Sequence, residues 1–117
     1  MNMTVRIKNL RARTIIGIHQ WEKEHPQEVV INVVIKFSAD SAIVSDSIED
    51  TVNYRQIKKM ILREVEAHSF ELLEKLAAFV LEKVMEDKRI LKASVEIDKP
   101  HALRFADSVS VECSAER

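Results

Sequence analysis

Glycine is almost absent from this chain, which has one glycine, Gly17, among 117 residues. Phosphate-binding loops and dinucleotide-binding turns each need several glycines at fixed spacings, so this scarcity excludes both kinds of site. Glycine also takes up positive φ, or lets a backbone approach closely, without strain. The chain concentrates that freedom at one point, and its only tryptophan, Trp21, and then Glu22 follow within five residues. We therefore expect a tight turn at Gly17 that introduces a site.

Cysteine and long apolar runs are equally scarce. The single Cys113 cannot form an intramolecular disulfide, and a lone thiol is typical of a reducing cytoplasm. No apolar run approaches the roughly 20 residues that cross a membrane, and residues 1–6 lack the apolar core of a signal peptide. A net charge of −1, with both signs mixed, offers no basic stripe for nucleic acid. The sequence predicts a cytoplasmic protein without a membrane or nucleic-acid partner.

Metal ligands and activated nucleophiles are not grouped along the chain. Its histidines are His19, His25, His68 and His101. No two of them have the helical spacing of a zinc site, so we expect no metal. The chain has no G-x-S-x-G elbow, and Cys113 has no adjacent base to activate it.

Alternating apolar residues predict the strands of a single α+β domain over residues 1–117. The alternation is uninterrupted over residues 29–37, which is the period of a half-buried strand. Residues 5–10, with a displaced Leu10, predict an earlier strand that runs into a second apolar stretch. Two later strands are expected at residues 93–97 and 109–113.

Helical spacing lies between these pairs of strands. It begins at Tyr54, and a second helix is expected to begin near Ser69, a candidate N-cap. The order ββααββ predicts a four-stranded antiparallel sheet with two helices on one face. Such a sheet has two edge strands that need cover, so we expect assembly through these edges into a homo-oligomer.

Polar residues fall where the predicted layout brings them to one end of the sheet. Glu22 follows the glycine turn, Tyr54 opens the first helix, and Lys99 ends the third strand. Pro100 stops that strand by withholding a backbone donor. A fourth residue, Glu74, lies early in the second helix, where apolar neighbours predict partial burial.

Each of these four residues also has a purely structural interpretation. A glutamate in a loop is most often a solvated charge, and Tyr54 could be a packed tyrosine with a wet hydroxyl. Lys99 could protect an edge strand from aggregation. Glu74 could pair on the helix surface with Lys75 or Lys83. Spacing alone favours these structural interpretations.

Taken together, four segments resemble the dihydroneopterin aldolase family of pterin enzymes. They are residues 16–18 with Trp21 and Glu22, then residues 52–54, 72–77 and 98–100. They occur in the family's order, and the resemblance covers nearly the whole chain. It implies the tunnelling fold, in which four subunits close their sheets into a barrel and two rings stack as an octamer. It also implies active sites between subunits.

Other segments resemble one branch of that family, the dihydroneopterin triphosphate 2′-epimerases. They are residues 95–99, 101–110, 6–11 and 30–33. His101 stands where aldolases more often have glycine, whereas Trp21, Glu22 and Pro100 are aldolase-like. The resemblance therefore implies an epimerase of the pterin side chain, with an aldolase of folate biosynthesis as the alternative. A non-catalytic, oligomeric pterin-binding ring is the alternative of a different class.

The resemblance implies a role for each residue of the site, without a metal or cofactor. Lys99 would remove the 2′-hydroxyl proton, directly or through water, which requires that desolvation or a neighbouring cation favour its neutral form. Tyr54 would move the proton at the side chain, and Glu22 would orient water or Lys99. The Glu74 carboxylate would accept the amino group and ring N–H of the pterin edge.

The remaining implied contacts are with the ring and the phosphates of the substrate. Backbone groups near Leu73 and Val52 would bind other polar atoms of the pterin. A triphosphate tail needs cations, for which the candidates are Arg104, His101, Arg11 and Arg13. Arg104, close behind Pro100, is the first choice because arginine suits bidentate phosphate contact, although a residue of this kind is more often a solvated surface charge than a ligand.

Overall fold

The computed structural model describes residues 1–117 and has an α+β fold built on one five-stranded sheet. The strands are β1 (Asn2–Ile16), β2 (Gln27–Ser38), β3 (Ser69–Phe70), β4 (Ile90–Pro100) and β5 (Ser108–Glu116). The helices are α1 (Gln20–Glu24), α2 (Asp40–Ser45), α3 (Tyr54–Ala67) and α4 (Leu73–Met85), with a 3₁₀ turn at Ile48–Asp50. The sheet order is β3-β1-β2-β4-β5, and the four long strands are antiparallel, as the sequence predicts.

The apolar alternation of β2 places it at the centre of the core. Val29, Ile31, Val33 and Ile35 are all fully buried. They belong to a core of 22 buried hydrophobic residues to which α3 and α4 contribute. Residues on the opposite face of β2, such as Val34, are only half-buried. The two long helices therefore cover one face of the sheet and leave the other more open.

A β-bulge explains the displaced Leu10. Ile7 pairs with Val33 and Leu10 pairs with Ile31, so three steps along β1 match two along β2. The extra residue is accommodated where Asn9 takes φ 53°. The backbone N–H of Asn9 donates to Asn32 Oδ1 at 2.9 Å. Because the bulge restores the register, β1 continues as one strand of 15 residues.

The expected start of the second helix is wrong. Ser69 is not an N-cap, because it lies in β3 and pairs in parallel with Ile15 of β1. Helix α4 begins at Leu73, after Leu72, whose side chain makes no capping hydrogen bond. The short strand β3, which the sequence did not predict, ties the connection between α3 and α4 to the end of β1.

Both edges of the sheet remain largely open in the single chain. Strand β3 pairs only with Ile15 and Ile16, so the rest of β1 has no partner on that side. Strand β5 forms the opposite edge.

The chain also contains no helix with the length and hydrophobicity needed to span a membrane.

Candidate active site

Gly17 forms the turn between β1 and α1 in a conformation that only glycine adopts without strain. Its φ is +141°, and its N–H donates to Phe70 O at 3.0 Å. A Cβ at this position would overlap the carboxyl group of Glu22. The turn therefore both redirects the chain and leaves space for an acidic side chain against the backbone.

The Glu22 carboxylate is held by three donors. His19 N–H donates to Oε1 at 3.3 Å and Gln27 Nε2 donates to Oε2 at 3.2 Å. Lys99 Nζ forms an ion pair with Oε2, and both side chains are only 14% exposed. The hydrogen bond from Lys99 is the main reason that the pKa of Glu22 falls from 4.5 to about 2, with Gln27 and His19 adding to it against the effect of burial. Glu22 is therefore ionised at neutral pH.

Lys99 reaches Glu22 from the far end of β4. It pairs with Val109 of β5, and Pro100 ends the strand. The immediate partner of its ammonium group is the Glu22 carboxylate. From the sequence we considered a neighbouring cation that would favour neutral Lys99, but the neighbour is this anion instead. Desolvation is present, since little of the side chain is exposed. The pair is a shielded place at which a proton can be held and passed on.

A pocket of about 470 Å³ opens beside this pair, between the Gly17 turn, the start of α4 and the end of β4. Leu73 and Glu74 line it from the first turn of α4. Ile18, Trp21 and Leu72 also line it while remaining 59%, 58% and 52% exposed. Exposed apolar groups around a few polar ones suit a flat ligand with a polar edge.

Glu74 is exposed, so the partial burial expected from its apolar neighbours is wrong. Because Glu74 lies in the first turn of α4, it lines the pocket while remaining exposed. Glu74 takes no part in the ion pairs of the chain, and Lys83 instead pairs with Glu86 at 3.6 Å. The structural interpretation of Glu74 as a surface ion pair therefore does not hold.

The two proposed phosphate contacts after Pro100 lie differently. His101 lines the pocket and has φ 60°, so a residue other than glycine takes a left-handed conformation there. Arg104 does not line the pocket, and its guanidinium stacks on Phe105, 5.7 Å from the ring centroid. Only His101 therefore stands at the site in this chain.

Tyr54 and Val52 lie towards the other end of the sheet. Tyr54 is 57% exposed and borders a groove beside residues 5–7 of β1. Val52 is buried, at the boundary of a cleft that also includes Phe37. At about 3.3 Å per residue, the strand from residue 7 to residue 16 separates Tyr54 from Glu22 by roughly 30 Å. The expected meeting of Tyr54 with Glu22 and Lys99 is thus wrong within one chain.

Sequence reasoning missed Gln27. Its Nε2 bridges Ile16 O at 3.1 Å and Glu22 Oε2 at 3.2 Å, which fixes the carboxylate to the end of β1. The only signal was a polar residue opening the longest alternating strand. No group of three or more His, Cys, Asp or Glu side chains is arranged to hold a metal ion.

The chain is similar to known proteins in both sequence and fold. The family model described as dihydroneopterin aldolase matches residues 5–114. The dihydroneopterin triphosphate 2′-epimerase of Escherichia coli K12 is 50% identical over 113 residues, covering 97% of this chain and 94% of that protein. The Pseudomonas aeruginosa protein of the same name is 46% identical, with 97% and 92% covered. The crystal structure of E. coli dihydroneopterin aldolase in complex with neopterin has a TM-score of 0.92 and 26% identity, covering 97% of this chain and 98% of that one.

Proposed function

This chain belongs to the dihydroneopterin aldolase family, and we propose that it is an epimerase that inverts C2′ of 7,8-dihydroneopterin triphosphate. The observation that carries the reaction class is the shielded Glu22–Lys99 pair on the same pocket as Glu74. The similarity at 50% and 46% identity to two proteins named dihydroneopterin triphosphate 2′-epimerase favours that reaction over aldol cleavage.

Substrate binding begins at Glu74. A pterin edge presents an amino group beside a ring N–H, and a carboxylate accepts both donors in a bidentate arrangement. Glu74 is open to the pocket and has no cationic partner, so its carboxylate is available for this contact. Backbone groups at Leu73 supply a further contact, and His101 lies at the border of the same pocket. Trp21 offers an apolar surface for the ring.

The reaction is a retro-aldol step followed by its reversal. A base removes the 2′-hydroxyl proton, the C2′ carbonyl forms and the bond between C1′ and C2′ breaks. The electron pair of that bond passes into the dihydropterin ring through the imine at N5, so the substrate supplies its own electron sink. The retained aldehyde then presents its other face, and the bond re-forms with C2′ inverted.

We assign the proton transfers to the pair and to Tyr54. Lys99 first gives up its ammonium proton to solvent, and its neutral amine then receives the 2′-hydroxyl proton, directly or through water. Glu22, with a pKa of about 2, stays ionised and stabilises the ammonium that this transfer produces. Tyr54 is assigned the proton shuttle at the pterin side chain, a role it can take only from a second copy because it lies too far away in its own chain.

We therefore propose that the active enzyme is a homo-oligomer, a four-subunit barrel or two such rings stacked as an octamer. The open edges of β1 and β5 can pair in the antiparallel sense between copies. Closing a sheet into a barrel requires a staggered register. We propose a stagger that places the early part of one β1 beside the start of a neighbouring β5, because only such a register brings Tyr54 and Val52 of one copy beside the pocket of the next.

Cys113 supports a cytoplasmic location, which we also propose. It is a free, half-buried cysteine on β5, and burial together with the nearby charge of Glu112 raises its pKa. Such a thiol is poorly ionised at neutral pH and persists unpaired in a reducing compartment.

Aldolase is the second candidate, because the chain is also similar to the E. coli dihydroneopterin aldolase of known structure. Both reactions use the same acid and base groups. An aldolase releases the two-carbon aldehyde after cleavage, whereas an epimerase retains it. The two functions differ in retention of the fragment and not in the residues of the pair.

The test is to incubate the protein with dihydroneopterin and with its triphosphate and to separate the products by chromatography. We expect inversion of the triphosphate. Lys99→Ala should abolish turnover while pterin affinity stays within about tenfold, and Glu74→Ala should chiefly weaken binding by about tenfold or more. Pterin binding without turnover of either substrate would leave a non-catalytic binding protein, and wild-type turnover in Lys99→Ala would reject the assignment of the base.

A further inference from the structure

The groove beside Tyr54, here called the Tyr54 groove, is lined by six residues: Val5, Arg6, Ile7, Tyr54, Arg55 and Lys58. It has a volume of about 360 Å³. Half of its lining residues are basic and none is acidic. The cations proposed from the sequence for the phosphates of the substrate were Arg104, His101, Arg11 and Arg13. None of them borders this groove.

The elements around the groove extend the same charge. Strand β1 carries basic residues and no acidic ones, and α3 has no acidic residue before Glu64. Outside the groove, two cations of these elements are paired, Arg11 with Glu28 at 3.2 Å and Arg63 with Glu64 at 3.6 Å, while Lys8, Arg13 and Lys59 form no ion pair. Inside it, Arg6, Arg55 and Lys58 take part in none of the chain's ion pairs. The groove therefore holds uncompensated positive charge.

The positions of these cations follow from the helix. Tyr54 and Lys58 are four residues apart at the start of α3, so they share one face. Arg55 follows Tyr54 directly and also lines the groove. A guanidinium binds phosphate oxygens in bidentate fashion, and an ammonium adds a compact charge. This combination suits a chain of phosphates better than a single carboxylate.

The chemistry of the proposed substrate links the groove to the pocket. Tyr54 is assigned to the three-carbon side chain of the pterin, and the phosphates of the triphosphate are attached at the end of that side chain. A Tyr54 hydroxyl placed at C2′ by a second copy therefore brings its own groove to the phosphates. Arg104 of the first copy lies outside the pocket and is stacked on Phe105.

We propose that Arg55 and Lys58 of the Tyr54 groove bind the triphosphate of the substrate whose pterin ring lies in the neighbouring subunit's pocket, and that they set the preference for the phosphorylated substrate. This inference rests on the proposed function. It assigns specificity to one subunit and pterin anchoring to the other. The groove is a binding site for a polyphosphate chain.

The test compares turnover of dihydroneopterin triphosphate and dihydroneopterin by the wild type and by Arg55→Gln/Lys58→Gln. Each lost charge-assisted contact is expected to lower kcat/KM for the triphosphate by about tenfold, and to lower it far less for dihydroneopterin. Lys59→Gln is the matched control, because it removes a charge from the same helix outside the groove. It should leave the ratio of the two values within about twofold. Arg104→Gln should also leave that ratio unchanged.

A binding measurement separates failure of this inference from failure of the proposed function. Inorganic triphosphate is titrated into the oligomeric wild type and the double variant by calorimetry. If the double variant binds inorganic triphosphate more weakly than the wild type, the result supports the groove as a phosphate site. This holds even if neither pterin is turned over and the proposed function fails. Equal binding by both proteins, or loss of the triphosphate preference in Arg104→Gln and not in the double variant, overturns the inference. Circular dichroism establishes that the double variant is folded.

Discussion

At the scale of single residues, the site depends on the close approach of Glu22 to the backbone of Gly17. The carboxyl group occupies the space that any other residue's Cβ would fill. From there it reaches Lys99, the backbone of His19 and Gln27. The sequence predicted the turn at Gly17, and Glu22 shortly after it, because Gly17 is the only glycine in the chain. It could not indicate Gln27, since a polar residue at the start of a strand has many possible partners.

Gly17→Ala is predicted to destabilise the protein by about 2 kcal/mol or more, because it combines a strained φ with a steric overlap. The cost should be smaller in a Glu22→Ala background, where the overlapping carboxyl is gone and only the backbone strain remains. Urea denaturation of the two single variants and the double variant measures this coupling. Additive effects of the two substitutions would contradict the account of the turn.

The lowered pKa of Glu22 predicts a pH dependence of stability. Because the folded-state pKa is about 2 and the ordinary value 4.5, the carboxylate stabilises the fold fully above about pH 4.5 and loses that contribution as the pH falls towards 2. The loss is on the order of 2 kcal/mol once solvent around the pair is allowed for. The difference in free energy of unfolding between wild type and Glu22→Gln, measured from pH 6 down to 3, should therefore shrink. A constant difference would show that Glu22 is not preferentially ionised in the fold.

At the scale of elements, β1 connects the two halves of the site. Its far end carries the Gly17 turn, and residues 5–7 border the Tyr54 groove. The alternation of β2 and the helical spacing from Tyr54 were sufficient to predict those elements, because each has one buried face. The start of α4 was predicted wrongly because β3 takes up Ser69 by pairing with β1. A two-residue strand formed by a contact distant in sequence leaves no periodic signal.

Thr14 holds α3 onto β1 and gives a prediction at this scale. Its buried hydroxyl lies 2.9 Å from both Val65 O and His68 O at the end of α3. Thr14→Val keeps the shape but removes the donor, so we expect a loss of about 1–2 kcal/mol from carbonyls left without this partner. Thr14→Ser keeps the hydroxyl and should recover most of the hydrogen-bond contribution. Thermal or urea unfolding that ranks serine below valine would argue against this role.

At the scale of the whole molecule, the site is divided between the two ends of the sheet. Glu22, Glu74 and Lys99 line one pocket, whereas Tyr54 lies roughly 30 Å away along β1. The family resemblance led us to expect sites between subunits, although the layout of one chain suggested that Glu22, Tyr54 and Lys99 meet. The pattern of a single chain gives the order of the elements, but it placed Tyr54 at the wrong end of the sheet and carries no information on the stagger between copies.

Mixing two inactive variants tests this division. Tyr54→Phe and Lys99→Ala should each lose turnover in homogeneous oligomers. If each site takes Lys99 from one copy and Tyr54 from the next, co-expression in equal amounts restores about a quarter of the wild-type activity, since that share of sites receives both intact residues. No recovery in oligomers that contain both chains would place the two residues in the same site of one chain.

The most direct test of the proposed epimerase follows one reaction of dihydroneopterin triphosphate in D₂O. Chromatography and mass spectrometry measure the inverted triphosphate, deuterium at its C2′ and the released two-carbon fragment. Retro-aldol cleavage with retention keeps the original hydrogen on C2′, so we predict inverted triphosphate as the main product, without deuterium at C2′ and with little free fragment. A main product of 6-hydroxymethyl-7,8-dihydropterin with an equal amount of released fragment would contradict the account and make the protein an aldolase.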